Sequence, residues 1–69
     1  MDKWQMVDNL TQHMLMNQSD LRCGQAVFNA LHILDPETAN MIRGTWDDCF
    51  YNDNKIEKFK NRVIKIWSE

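Results

Sequence analysis

The chain has 69 residues, of which 43% are hydrophobic and 26% are charged, and its formal net charge at pH 7 is −2. This composition argues against a disordered chain and against a general attraction to nucleic acid or anionic lipid, and the length suits one domain with one small core. No stretch approaches the ~18 apolar residues of a membrane span, and the N-terminus lacks the apolar region of a secretory signal. We therefore predict a single cytoplasmic domain over residues 1–69, with no membrane partner.

A core of this size rarely contributes more than about 3–5 kcal/mol of net stability by itself. We therefore expect a protein partner, or self-association into a dimer, to add to that stability. Cys23 and Cys49 are predicted to be reduced and buried thiols, because cytosolic proteins seldom keep disulfides.

The first predicted element is an amphipathic helix over roughly residues 2–17. Its apolar side chains recur at helical spacing, with polar residues opposite them. This apolar stripe consists of Trp4, Val7, Leu10, Thr11, Met14 and Leu15. A polar run follows over residues 17–20, where Ser19 or Asp20 is suited to capping the next helix.

The second predicted helix, within residues 19–34, is apolar around most of its circumference but carries one narrow polar stripe. The apolar face contains Cys23, Ala26, Val27, Ala30, Leu31 and Leu34, and the polar stripe contains Arg22, Gln25, Asn29 and His32. A helix of this kind is usually central and buried, so its polar groups need partners in the fold or in a ligand. Gly24 interrupts this helix, which suggests that another backbone comes close there.

A short third helix is predicted from Pro36 to about Arg43, because proline suits the first helical position and Gly44 supplies a left-handed stop. Residues 45–53, which contain three aromatic and three acidic side chains, are predicted to form a structured loop. A last helix follows, capped by Asp53 or by Asn54 in a capping box with Glu57. Its apolar stripe consists of Ile56, Phe59, Val63, Ile66 and Trp67. The predicted fold is all-α, with three main helices and one short helix.

Two roles are open for the polar stripe of the second helix. As a structural latch, Arg22 would pair with Asp47 or Asp48, while Gln25 and Asn29 would bond the backbone of the loop over residues 44–52. As a recognition surface, the stripe would stay partly open beside two aromatic residues. The candidate residues for either role are Arg22, Gln25, Phe28, Asn29, His32, Trp46 and Asp48. We favour the latch, and keep Phe28 and His32 as candidates for recognition.

The sequence contains no catalytic motif and no paired zinc-ligand spacing, so we predict no enzyme activity, no cofactor and no metal. The last helix carries a basic stripe at helical spacing, formed by Lys55, Lys58, Arg62 and Lys65. Residues 55–69 hold five basic and two acidic side chains, whereas residues 1–54 hold three basic and eight acidic ones. The basic stripe could contact phosphates, but a solvated helix face is the favoured interpretation.

One combination of residues resembles a family of small uncharacterised bacterial and bacteriophage proteins. The matching positions are Arg22, Gly24, Gln25, Ala26, Asn29, Leu31, Arg43, Gly44, Thr45, Asp48, Phe50 and Asp53. They follow the pattern of an R-x-G-Q-A-x-x-N-x-L helix, a G-T-x-x-D-x-F loop and a C-terminal amphipathic helix, over roughly residues 21–67. Cys49 stands after Asp48 where the family pattern has proline. The resemblance implies a bacterial or phage origin and brings no known activity. The predicted function is a non-enzymatic module that binds a protein partner or itself; the alternative is nucleic-acid binding through the basic stripe.

Overall fold

A computed structural model describes residues 2–69 of the chain. It contains four α-helices and, among these residues, no strand. The helices are α1 (Lys3–Asn17), α2 (Cys23–Leu34), α3 (Pro36–Ile42) and α4 (Ile56–Ser68), and one turn of 3₁₀ helix (Asp53–Lys55) leads into α4. The prediction of an all-α domain with three main helices and one short one is confirmed.

Capping residues begin α1 and α3, and a glycine turn follows α3. Asp2 caps α1, its carboxylate accepting from the N–H of Gln5 at 2.8 Å. Asp35 caps α3 in the same way, with Pro36 at the first position, and accepts from the N–H of Thr38 at 3.2 Å. After α3 the chain reverses through Gly44, whose φ of +78° is a conformation that side chains with a Cβ avoid.

The central helix is α2, which packs against α1, α3 and the 3₁₀ turn. Its Ala26, Ala30 and Leu31 are fully buried. The rest of the core is aliphatic and aromatic, and the ring of Phe59 on α4 reaches Phe28 on α2 at a centroid distance of 5.8 Å. Most members of the apolar stripes predicted for the first, second and last helices therefore meet in one core, whereas Leu15, Cys23 and Leu34 lie outside it.

The two ends of α4 are tied to the two ends of α2. Asp53, just before α4, accepts from Gly24 at 2.8 Å, and Trp67 near the end of α4 donates from Nε1 to Asp35 at 2.9 Å. Consequently α4 runs in the same direction as α2. The same Asp35 carboxylate accepts from the hydroxyl of Thr38 at 2.6 Å, and these bonds hold its pKa below the ordinary value.

Two predicted helix caps are wrong, because in both cases another residue accepts from the first turn. Ser19 and Asp20 do not cap α2, which starts later, with Arg22 at its N-cap position. The predicted capping box of Asn54 and Glu57 is also not formed, because Asn52 caps the 3₁₀ turn and α4 continues directly from it. Asp53 is instead the carboxylate that serves the first turn of α2, from a position distant in sequence.

The two cysteines also differ from each other in a way that was not predicted. Cys49 is fully buried, as expected, but Cys23 is exposed at the first turn of α2. Burial, the largest cause, raises the pKa of the Cys49 thiol to about 12, and the neighbouring charges of Asp48 and Asp53 add to the increase. Across residues 2–69, none of the helices has the length and apolar character needed to cross a bilayer.

Candidate functional site: a cleft between α2 and the aromatic loop

The loop over residues 43–52 is held onto the start of α2 by contacts at Gly24. The Gly24 N–H donates to Asp53, and its carbonyl oxygen accepts a weak hydrogen bond from the Cys49 thiol at 3.5 Å. A Cβ placed on Gly24 would overlap the carbonyl oxygen of Cys49. The prediction that another backbone comes close to Gly24 is therefore confirmed. We call these contacts of Gly24, Cys49 and Asp53 the clamp.

Inside the loop, Asp48 fixes the backbone on both sides of itself. One carboxylate oxygen accepts from the N–H of Gly44 at 2.8 Å, and the other accepts from the N–H of Phe50 at 2.9 Å. The hydroxyl of Thr45 donates to the carbonyl of Ile42 at 2.6 Å, which ties the loop to the end of α3. The predicted structured loop is confirmed, and its order comes from side chains that bond to the backbone.

Aromatic contacts attach the loop to the middle of α2. Phe28 is only 3% exposed, and Phe50 meets it edge-to-face with ring centroids 5.7 Å apart. The rings of Tyr51 and Phe50 are in contact, with their centroids 4.8 Å apart, yet 79% of Tyr51 is exposed. On the other side, the guanidinium of Arg43 lies 5.4 Å from the centre of the Phe28 ring. Phe28 is thus a core residue, and it forms the inner wall of a surface cleft.

This cleft has a volume of about 250 Å³ and is bounded by α2, the end of α3 and the loop. Its lining residues are Phe28, Asn29, Arg43, Asp48, Phe50 and Tyr51. Asn29 is half-buried, and no other residue of the 2–69 range forms a hydrogen bond with its side-chain amide. In the same range no carboxylate forms an ion pair with Arg43. The cleft therefore combines aromatic surface with two polar groups whose hydrogen-bonding capacity is unused within the fold.

The hydrogen bonds predicted for the latch are not those that form. Arg22 does not pair with Asp47 or Asp48; its Nη2 donates to the carbonyl of Phe50, at a long 3.5 Å. Gln25 does not reach the loop, because its Oε1 accepts from the N–H of Arg22 at 3.1 Å and completes half of a local capping box. The loop is held instead by the clamp and by Asp48, since the absence of a side chain at Gly24 lets the loop backbone rest directly on the helix.

His32 and Trp46 lie outside the lining of the cleft. Trp46 is 86% exposed, and the ammonium of Lys55 lies 5.2 Å from the centre of its ring. His32 is half-buried in the last turn of α2. Of the seven predicted candidates for the stripe and loop, the structure brings Phe28, Asn29 and Asp48 together.

The basic stripe of α4 is a separate surface. Lys58, Arg62 and Lys65 are exposed, and none forms an ion pair with a described residue. Lys55 is half-buried, and its ammonium lies 5.2 Å from the centre of the Trp46 ring. The stripe therefore presents three solvated cations on one helix face.

Sequence reasoning assigned no role in the cleft or the clamp to Arg43, Tyr51 and Asp53. It named Asp53 only as a cap of the last helix and, with Arg43, as a position of the family pattern. Arg43 follows the last residue of α3, where the Gly44 turn directs it back over α2. The role of Asp53 has a sequence signal once the start of α2 is known. The N-cap residue of α2 is Arg22, whose side chain has no oxygen that could accept from the N–H of Gly24. A helix start without a local acceptor requires one from elsewhere in the chain.

Comparison with protein-family models, curated proteins and solved structures found no match to this chain. Within the described residues, no group of three His, Cys, Asp or Glu side chains is placed to hold a metal ion. The cleft presents one cation, one amide and two accessible aromatic rings to a ligand.

Proposed function

We propose that this protein is a non-enzymatic interaction module, of bacterial or phage origin and acting in the cytoplasm, that binds a protein partner through the cleft between α2 and the loop. The observation that carries the proposal is the convergence of Arg43, Asn29 and Tyr51 beside Phe50, in a cleft whose backbone is already fixed. Arginine and aromatic side chains dominate binding energy at protein interfaces. A preformed site adds affinity because little ordering is needed when the partner binds.

Two larger hollows on the molecule are less suitable for this role. The larger of the two lies between α1 and α4, but its two tryptophans, Trp4 and Trp67, are already covered by the ammonium groups of Lys60 and Lys3. The other, at the opposite end of α2, includes Asp35, whose carboxylate is engaged by Thr38 and Trp67. In the first hollow the faces of both tryptophans are therefore engaged within the fold, and in the second the carboxylate of Asp35 is.

The chemistry of Cys49 supports a role without catalysis. Its thiol is buried and its pKa is about 12, so it stays protonated at neutral pH and is a poor nucleophile. Cys23 is exposed but shares no hydrogen bond with a histidine that could act as a base.

Affinity capture from bacterial lysate tests the proposal. The native protein, Tyr51→Ala and Met16→Ala would serve as parallel baits, after their melting curves have been compared. Met16 is a matched control because it is 84% exposed on α1, far in sequence from the cleft. We expect a protein that the native and Met16→Ala baits retain and that Tyr51→Ala loses. Retention by all three baits would contradict the proposal, as would retention by none if the native chain is also a monomer.

Self-binding is the version of this proposal in which the partner is a second copy. Sedimentation of the native chain and of Tyr51→Ala decides it: a dimer that the substitution dissociates makes the second copy the partner. A monomer at every concentration leaves only a different protein as partner.

The second candidate function is nucleic-acid binding, and the observation that favours it is the exposed, unpaired state of Lys58, Arg62 and Lys65. Retention on DNA or RNA should then fall steeply with salt and disappear in a Lys58→Glu/Arg62→Glu variant. Retention that the double substitution leaves unchanged would exclude the stripe as the contact.

A further inference from the structure

Resting on the proposed function, we further infer the chemistry of the partner: the cleft binds an extended peptide segment that carries an acidic side chain next to an apolar one. Arg43 would hold the carboxylate, Asn29 would hold a peptide group of the backbone, and Phe50 with Tyr51 would hold the apolar side chain. Each of these three assignments follows from a separate feature of the cleft.

The acidic side chain is assigned because Arg43 is the cation of the cleft. Its guanidinium lies over the Phe28 ring, 5.4 Å from the ring centre, and its N–H groups form no hydrogen bond with residues 2–69. No acid of residues 2–69 neutralises it through an ion pair. Arg22, whose guanidinium reaches the carbonyl of Phe50, adds a second positive charge at this loop. Planar guanidinium groups bind carboxylates through two parallel hydrogen bonds.

Asp48 also lines the cleft, but it does not turn the cleft into a site for cations. Both of its oxygens accept from backbone N–H groups, at 2.8 and 2.9 Å, and these bonds direct the carboxylate into the loop. Hydrogen bonds from backbone N–H groups stabilise the charged form of a carboxylate and occupy its acceptor oxygens. Of the two charged side chains that line the cleft, Arg43 is therefore the one whose hydrogen-bonding groups are not engaged by residues 2–69.

The backbone contact is assigned because the side chain of Asn29 offers both a donor and an acceptor. A peptide group offers the complementary pair, so one asparagine can bond its N–H and its C=O together. Asn29 lies in the middle of α2, the most buried helix, which keeps its position fixed. No hydrogen bond to any residue of the 2–69 segment competes for this amide.

The size of the cleft and its aromatic rings complete the argument. At about 250 Å³ the cleft is smaller than the roughly 300–1,000 Å³ of pockets that enclose drug-sized molecules, so it suits a few side chains of a longer chain. The rings of Phe50 and Tyr51 meet at 72°, and most of Tyr51 is open to solvent. An apolar side chain placed against these rings would remove apolar surface from water on both partners.

The test is a selection of random, displayed heptapeptides on the full-length protein, followed by affinity measurements on the best peptide. We expect enrichment of peptides in which Asp or Glu neighbours an aliphatic or aromatic residue. Arg43→Gln should weaken binding by about tenfold or more, because a charge-assisted hydrogen bond contributes roughly 1.5–3 kcal/mol. Arg62→Gln makes the same change of charge on the exposed face of α4 and should leave the affinity unchanged.

A double-mutant cycle then assigns the contact. Replacing the peptide's acid by its amide should cost about tenfold on the native protein and almost nothing on Arg43→Gln, because the two groups form one interaction. Additive losses, enriched peptides without acids, or no enrichment at all would each overturn the inference. Enrichment of neutral peptides that Tyr51→Ala no longer binds would overturn the inferred peptide chemistry but leave the proposed function standing. Displacement of the peptide by a nucleic acid from the native protein, but not from Lys58→Glu/Arg62→Glu, would overturn the assignment of the cleft as the peptide site.

Discussion

Replacing Gly24 by alanine isolates the contribution of the clamp. On an ordinary helix this substitution is favourable, since alanine is about 1 kcal/mol better than glycine in a helix interior. Here the new Cβ would overlap the carbonyl oxygen of Cys49 and crowd the carboxylate of Asp53, so the loop has to move away. That movement weakens the Asp53 cap, which is typically worth about 1 kcal/mol, and overpacking of this kind costs about 1–3 kcal/mol.

The balance is a loss of about 1–3 kcal/mol in the free energy of unfolding. In a domain of this size that loss lowers the melting temperature by about 5–20 °C. Thermal melting followed by circular dichroism measures it. A Gly24→Ala protein as stable as the native chain, or more stable, would show that the loop backbone does not rest on this helix and would refute the reasoning.

Thiol labelling measures the effect of Gly24→Ala on the clamp itself. In the native protein a thiol reagent should modify the exposed Cys23 at once, and the buried Cys49 only when the loop opens. Gly24→Ala should raise the labelling rate of Cys49 without changing that of Cys23. Gly44→Ala is the matched control: a Cβ there meets no atom within 4 Å, so its cost comes from the positive φ alone and need not open the clamp.

Three other predictions concern the carboxylates of the fold. Folding lowers the pKa of Asp35 from 3.8, so its contribution to the free energy of unfolding is complete above that pH and is lost as the pH falls through the folded-state pKa. Urea unfolding between about pH 2 and 6 should show this loss of stability in the native chain, and Asp35→Asn should lack it. Trp67→Phe keeps an aromatic ring but removes the bond to Asp35, and should cost about 1 kcal/mol by the same assay, with an unchanged midpoint counting against the bond. Asp48→Ala removes the acceptors of the Gly44 and Phe50 N–H groups, so it should lower stability by about 1–2 kcal/mol and speed the labelling of Cys49; a slow, native-like rate would show that the loop holds its shape without this carboxylate.

The features that sequence predicted well are those fixed by near neighbours. The helical periods, the Asp35–Pro36 start of α3 and the Gly44 turn depend on residues within one or two turns of each other, and all are present. Even the close approach at Gly24 could be predicted, because a glycine inside a helix has a cost that needs a reason.

What could not be predicted is which distant group satisfies which donor. Asp53 precedes the last helix and has the chemistry to cap it locally, yet it caps α2, from 29 positions away. The polar stripe of α2 likewise contains residues of similar chemistry with different roles: Gln25 bonds locally, Arg22 reaches the loop, and Asn29 keeps its amide for a ligand or solvent. Only the three-dimensional placement of the loop separates these roles, and periodicity along one helix contains no information about that placement.

The clamp has a consequence for the order in which the molecule assembles and comes apart. The connection between α1 and α2 is only a few residues long, whereas the clamp joins Gly24 to Asp53 across the whole of α3 and the loop. Closing so long a segment costs more chain entropy than forming the hairpin of α1 and α2. The cleft is therefore expected to form after the hairpin of α1 and α2. Amide hydrogens around residues 43–52 should exchange with solvent through local opening, faster than those at the centre of α2. A partner bound in the cleft would slow this exchange by holding the loop closed.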